Sequence, residues 1–464
     1  MRKLQALQII IVLVASAYAD HTDVNLEDGQ APDEADSLPY IHFSTAHSAF
    51  LVASIYADNV TSPRTIAIAA NTDVLVVSDD SVINLWDGDF QGMSNQEDDD
   101  DEREVLARVA YANGTVYSVL LNGAYLYLSS DTTIYRWPFS AGNRTALGPP
   151  QAVVQNIPNT NDMSNPVSSE GAGVGFTSHA LFVDSFGQLY VQVGAGSVEG
   201  NDQSSWRACI RRFNLSQPLP LNFSSGELFA DGLRNTIKLA EDDFQTLWGV
   251  DQATRLVART DANIDVTKNP QDELNSFDLT KPGQMYGYPA CWATYPNGSQ
   301  QGQLAENDTF CSGSSVVQPA YAISVHEQPS SIAFYKAVHS EEGRYGFPSD
   351  FIGNAFVVLR GAYNETSQDT KSRLLRVRFN TTDNGSHAIP VAVEDFLIFN
   401  ATAESLQNDT SLLDRRLVDV VVGLNGELYL SDERKNVIYV VRYHHIPDGD
   451  LYMRMVVQGN VSVA

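Results

Sequence analysis

One of the chain's nine histidines, His179, stands directly before an alternating apolar run in VGFTSHALFVDSFGQLYVQVG, Val174 to Gly194. An imidazole at that place has two readings. It can serve as a general base, because its ordinary pKa lies near neutrality. It can equally be a core residue whose two ring nitrogens are satisfied by neighbours. Further on, GLRNTIKLA sets Arg234 beside Asn235 ahead of another alternating run. The guanidinium offers a fork of donors suited to carboxylates or quinone oxygens, and the amide both donates and accepts. Such a pair also commonly just stabilises a loop. In NPQDELNSFDLTKPGQMYGYPACW, Asp272 and Glu273 precede a Pro/Gly-rich aromatic turn. They could ligate calcium or cap a loop, and composition favours capping. Asp251 and Asp432 are the evident carboxylates for a calcium-dependent, lactonase-type hydrolase, although binding of neighbouring backbone suits them better.

The elements that must carry these residues are strands. A turn with Gly, Asn or Asp, a short alternating strand, a small or acidic residue and a second strand recur six times. Examples are NTDVLVVSDDSVINLW from Asn71, NGAYLYLSSDTTIYRWPF from Asn122 and NGELYLSDERKNVIYVVRY from Asn425. The middle strands centre on Leu75, Leu126, Tyr190, Trp248, Val357 and Tyr429. A strand pair of this kind cannot bury both faces alone. Radial stacking of four-stranded sheets solves that problem and leaves only short edges. The pattern therefore predicts an all-β fold, a six-bladed β-propeller over residues 61–445. Residues 20–60 are expected to lead into the first blade, and 446–464 to form an extension or closing strand. The 109-residue step from Trp248 to Val357 must hold an insertion. The acidic run Glu97 to Glu104 is expected as a solvated loop, since consecutive carboxylates lack the alternation of a calcium loop.

The beginning of the chain, MRKLQALQIIIVLVASAYAD, has a basic end, an apolar stretch and a small-x-small site at Ala17–Ala19. It reads as a signal peptide over 1–19, which implies a secreted, extracellular protein. Thirteen Asn-x-Ser/Thr tripeptides from Asn59 to Asn460 agree with a glycoprotein. No later stretch is apolar enough to suggest a membrane anchor. The net charge of −28 disfavours nucleic acid and anionic membranes as partners. An anionic cofactor would need arginines gathered locally against that field. Of three cysteines, Cys291 and Cys311 flank a polar segment and are expected to form a disulfide. Cys209 is expected as a buried free thiol, and the set has no zinc-site spacing.

Five segments taken in order resemble the soluble quinoprotein glucose/sorbosone dehydrogenases, including secreted pyranose dehydrogenases. They are GELFADGLRN, DELN followed by YGYP, HEQPSSIAFY, FIGNAFVVLRGAYN and RRLVDVVVGLNGELYLSD, and the likeness runs from about Ser62 to Tyr443. The resemblance implies a propeller that binds pyrroloquinoline quinone (PQQ) and Ca2+ and oxidises a small sugar or aldose. It implies that Arg234 and Asn235 face the quinone oxygens and that Gln252 lies beside the cofactor. Main-chain carbonyls of Ala253 and Thr254 would hold calcium. His326 would face the cofactor, and Arg360 and Arg416 would take its carboxylates. Electrons would pass to an external acceptor, because the chain has no Cys-x-x-Cys-His haem segment. The family writes Gly-His-x-x-Arg where this chain has Gly175, Phe176 and His179. Its base histidine is thus Phe176 here, and His179 takes the place of the arginine. Either His179 reaches the substrate from its displaced position, or the chain is a propeller that binds a carbohydrate or protein without oxidising it.

Overall fold

The computed structural model describes residues 38, 40–45, 48–86, 102–108, 116–158, 176, 179–196, 206–253, 270–291, 293, 308–325, 327–336, 346–361, 372–381, 388–399 and 415–443. They form six sheets. Blade 1 is Pro63–Ile68, Val74–Ser78, Ser81–Trp86 and Glu102–Arg108. Blade 2 is Val119–Asn122, Tyr125–Ser129, Thr133–Pro138 and Gln151–Gln155. Blade 3 is Leu181–Val183, Gln188–Val193, Cys209–Asn214 and Glu227–Asp231. Blade 4 is Thr236–Glu241, Leu247–Asp251, Gln271–Phe277 and Tyr321–Val325. Blade 5 is Pro329–Phe334, Ala355–Leu359, Arg373–Thr381 and Ala388–Phe399. Blade 6 is Leu417–Val422, Leu428–Asp432 and Val437–Tyr443, completed by Leu51–Ala57 from the other end of the chain. The first strands of successive blades pack against one another around the axis. The expected six-bladed propeller is the observed fold. All six repeat centres, Leu75 to Tyr429, fall on the second strand of their blades.

That position is legible because the second strand has neighbours on both edges and blades on both faces. Apolar side chains fill the six blade-to-blade interfaces. Leu128 and Trp137 lie between blades 1 and 2, and Leu189 and Phe223 between 2 and 3. Tyr190 and Phe277 join blades 3 and 4; Trp248 and Phe334 join 4 and 5. Phe396 and Leu430 join 5 and 6, and Val76 and Tyr429 close 6 onto 1. The repeat's acidic turn residue also has a local job. Asp184 Oδ1 accepts from the N–H groups of Phe186 and Gln188, and Oδ2 accepts from the Tyr190 hydroxyl at 3.0 Å. Asp242 repeats this with Phe244, Thr246 and the Trp248 indole at 2.9 Å. One carboxylate thus caps the turn and anchors the aromatic six residues on.

Departures from the expected pattern involve extra strands. Ile41–Phe43 pairs with Ala388–Phe399, so residues before 61 build into blades 5 and 6. Leu221–Asn222 and Gln284–Met285 add short parallel strands to blades 2 and 3. The latter belongs to the long insertion, which lies between the third and fourth strands of blade 4 and carries the Cys291–Cys311 disulfide. Cys209 is a buried free thiol, as expected, with its pKa pushed up to about 12 by burial. The acidic run expected as loop is in part strand. Glu102 and Glu104 lie opposite Trp86 and Asn84 in blade 1, and 97–101 fall outside the described residues. Contacts divide the chain into Asp36–His445 and a second unit, Met1–Ala35 with Ile446–Ala464. The second unit, with the expected signal peptide and extension, lies outside the described residues. Among the described residues no helix is long and apolar enough to cross a membrane.

Inside the ring, Asp419 ties four blades together. Its Oδ2 accepts from the Ile66 N–H at 2.7 Å and from Lys238 Nζ at 2.9 Å. Its Oδ1 accepts from the Ser331 hydroxyl at 2.5 Å. Blades 1, 4, 5 and 6 therefore share one buried carboxylate.

Candidate functional site

Arg234 and Asn235 lead into the first strand of blade 4, and Gln252 and Ala253 leave its second strand. Antiparallel pairing brings the two ends together, with Thr236 opposite Asp251. Asp251 fixes them. Its Oδ2 accepts from the Arg234 N–H at 3.0 Å, and its Oδ1 from the Asn235 N–H and Thr236 hydroxyl, each at 2.8 Å. Burial raises its pKa to about 6 in spite of these bonds. The Asn235 amide donates to Gln252 Oε1 at 2.9 Å, and the Gln252 amide donates to Pro329 O of blade 5 at 3.1 Å. Arg234 Nη1 donates to Gln252 O at 3.2 Å and Ala253 O at 2.7 Å. Its guanidinium carbon lies 4.7 Å from the Phe176 ring centre. Arg234, Asn235, Gln252, Ala253 and Phe176 thus form one constellation, buried or half-buried.

A second constellation comes from blades 5 and 6. Arg360 Nη2 and Arg416 Nε both donate to Glu433 Oε1, at 2.5 and 2.7 Å. Two guanidinium groups thus converge on one carboxylate oxygen. Burial holds the Arg360 pKa below the usual arginine range; Glu433 opposes that effect, while Arg416 and Arg64 add to it. Arg360 Nε is buried with no hydrogen-bond partner. The segment 327–329 links the constellations. Asp272 Oδ2 accepts from the N–H groups of Glu327 and Gln328, and Gln328 O accepts from the Arg360 N–H.

His179 is fully buried; Nδ1 lies 3.1 Å from Gln192 O and Nε2 3.0 Å from Asp131 O. A neutral imidazole has one N–H, so it donates to one of the two carbonyls while its other nitrogen only faces the second. This is the setting of an enclosed core histidine, and it leaves no nitrogen open to a substrate hydroxyl. Burial also lowers its pKa. Asp272 Oδ1 accepts from the Ala253 N–H, so this carboxylate serves three backbone donors. Glu273 accepts from the Ala293 N–H and the Asn275 amide. Both are caps rather than outward-facing metal ligands. Asp432 likewise accepts from the N–H groups of Arg416, Arg434 and Lys435. Gly175, Thr254 and His326 lie outside the described residues. Sequence reasoning missed Glu433, although it directly follows the SD pair of the last repeat. It also missed Arg207, whose Nη1 donates to Phe176 O and Gly194 O.

The groups implied by the resemblance can be tried against this geometry. A tricarboxylate suits the Arg360–Arg416 pair, where two guanidinium groups converge and Arg360 Nε is a buried donor with no hydrogen-bond partner among the described residues. For a hard cation, the carbonyls of Gln252 and Ala253 fit, because they already converge on a positive nitrogen. The carboxylates of Asp272 and Glu273 do not fit, since backbone and amide donors occupy them. Among the described residues there is no group of three or more His, Cys, Asp or Glu that could hold a metal ion.

Comparison with known proteins agrees with this fold. The holo PQQ domain of pyranose dehydrogenase from Coprinopsis cinerea superposes with a TM-score of 0.66 at 16% identity, covering 88% of this chain and 98% of that one. The iodide structure of a Trichoderma reesei protein of Carbohydrate-Active Enzymes Family AA12 gives 0.64 at 18% identity, with 87% and 98% covered. The PQQ-bound aldose sugar dehydrogenase of Streptomyces coelicolor gives 0.51 at 18%, with 86% and 99% covered. No curated protein matches the chain at significant similarity. A family model described as TrAA12-like matches residues 46–444, nearly the whole propeller, and the chain accordingly belongs to the TrAA12-like family.

Proposed function

We propose that the chain is a secreted, PQQ- and calcium-dependent dehydrogenase that oxidises a hydroxyl of a sugar or aldose and passes the electrons to an external acceptor. The observation that carries this reading is the pair Arg360 and Arg416 on one Glu433 oxygen. It gathers two arginines at one point in a chain of net charge −28. The neighbours described as PQQ-bound or holo lend support. Arg360 and Arg416 would bind carboxylates of the quinone. Arg234 and Asn235 would orient its carbonyl edge, with Gln252 beside them. Main-chain carbonyls at Ala253 and Thr254 would hold calcium, joined by Gln252 O, which turns to the same point as Ala253 O. When bound, the quinone supplies a two-electron acceptor for hydride. The chain must supply a base for the hydroxyl proton. Phe176 cannot accept one and His179 is enclosed. His326, which the resemblance turns toward the cofactor, is a further candidate, and the Glu327 N–H immediately after it is held by Asp272.

A second reading rests on the same Phe176. With an aromatic ring at the base position, the chain would bind a carbohydrate or quinone without turnover. Reconstitution with PQQ and Ca2+, followed by spectroscopy of the bound quinone and dye reduction over a sugar panel, separates the two. Bound quinone with sugar-dependent dye reduction is the expected result. Quinone binding without turnover favours the second reading, and no quinone binding rejects the first.

A further inference from the structure

Arg234 is a cation already seated on main-chain oxygens. Its Nη1 lies 2.7 Å from Ala253 O and 3.2 Å from Gln252 O. Two consecutive carbonyls turned to one point are neutral, hard donors of the kind a divalent ion takes. They are held there without help from the guanidinium. The Ala253 N–H is bound by Asp272 Oδ1 at 2.9 Å, and the Gln252 N–H by Asn235 O at 3.3 Å. The Gln252 side chain is pinned between Asn235 and Pro329 O.

The guanidinium is held in turn from its other side. The Phe176 ring lies 4.7 Å from its central carbon, a cation–π contact. Phe176 is fixed by its N–H on Ala195 O and by Arg207 Nη1 on its carbonyl. Its main chain runs so close to Gly194 that a Cβ there would fall 2.5 Å from Phe176 Cβ and 2.8 Å from Asn235 Oδ1. Phe176 therefore clamps the arginine over the carbonyl pair.

We infer that Arg234 is a displaceable resident cation, and that a divalent metal ion binds the carbonyl oxygens of Gln252 and Ala253 only when the guanidinium withdraws. Two positive groups cannot occupy the same pair of oxygens, and their repulsion at contact distance is strong in a buried site. An anion that draws Arg234 away raises metal affinity, and by linkage the metal raises affinity for that anion. The inference deepens the cofactor reading by naming what calcium must displace, but its test needs neither quinone nor sugar.

The experiment is titration of the full-length protein with Ca2+ alone, by calorimetry, with Tb3+ luminescence as a second probe. Arg234→Gln removes the competing charge and is expected to bind Ca2+ at least ten-fold more tightly than the wild type. Arg234→Lys keeps the charge and stays within about three-fold of the wild type. Phe176→Leu releases the clamp and tightens Ca2+ severalfold with Arg234 intact, which keeps the inference testable where Arg234→Gln does not fold. Unchanged or weaker Ca2+ binding by Arg234→Gln overturns it, and so does the absence of binding in every variant. Failure to bind quinone would reject the dehydrogenase reading and leave these titrations unaffected.

Discussion

Arg360 and Arg416, on neighbouring blades, donate to the same oxygen, Glu433 Oε1, at 2.5 and 2.7 Å. One carboxylate oxygen holds two guanidinium groups together. A charge-assisted bond between Arg416 and an anionic ligand contributes about 1.5–3 kcal/mol. Arg416→Gln should therefore weaken PQQ binding by roughly ten- to hundred-fold, read by fluorescence or absorbance titration. Glu433→Gln should do the reverse, tightening PQQ while lowering the melting temperature, because the arginines then repel each other. Equal loss of affinity in both variants would show that Glu433 orients the pair more than it offsets its charge.

The propeller axis yields a second expectation. Asp419 is 1% exposed and accepts from Ile66, Lys238 and Ser331 on three other blades. Asp419→Ala leaves those donors and the Lys238 charge facing a void. Breaking a buried pair from one side costs about 3–5 kcal/mol. Lys238 keeps some solvent contact, so the lower end is expected, measured by denaturant unfolding. Asp419→Asn, which retains an acceptor oxygen, should lose less.

These two sites show what could be read along the chain and what could not. The second strand of each blade is bounded by a turn and buried on both faces, so Leu75, Tyr190 and Trp248 announce it through alternation alone. The two-residue strands Leu221–Asn222 and Gln284–Met285 exist only because a neighbouring blade offers an edge, and nothing local marks them. Arg234 and Asn235 were visible because they adjoin in the sequence, and one hairpin brings Gln252 to them. Glu433 was not, since its partner Arg360 lies 73 residues away on another blade. The role of His179 also depends on distant carbonyls. Asp131 O belongs to blade 2, and the local sequence is the same for an enclosed histidine as for an open one.

Burial of the acidic row in blade 4 makes stability depend on pH. Asp251 and Glu273 lie directly opposite each other on adjacent strands. Burial first, then the Asp251 charge, raises the Glu273 pKa to about 8. A carboxyl whose folded pKa is raised binds its proton more tightly in the folded state. Its contribution is therefore fully present below the unfolded value of 4.5 and is lost as pH rises through about 8. The quinone-free protein should lose stability over that window, and Glu273→Gln should flatten the loss by on the order of 5 kcal/mol. Melting temperatures from pH 4 to pH 9, read against wild type, check this. A variant curve parallel to the wild-type curve would assign the pH dependence to Asp272, whose pKa is raised to about 7.

The base position offers the most direct test of turnover. Phe176 sits against Arg234 with its backbone fixed at both ends, so a replacement ring would occupy the same place. Phe176→His puts an imidazole there with an ordinary pKa near 6.5, lowered further by the adjacent guanidinium. The variant should bind PQQ within a few-fold of the wild type. Sugar-dependent dye reduction should rise by at least ten-fold, toward the roughly 10²–10⁴-fold that a positioned base supplies. The kcat profile should gain an acid limb at or below that pKa, because the imidazole acts only when neutral. A wild type that already turns over, with no gain and no new limb in the variant, would place the proton acceptor elsewhere. Loss of activity in His326→Gln with PQQ binding retained would then identify it.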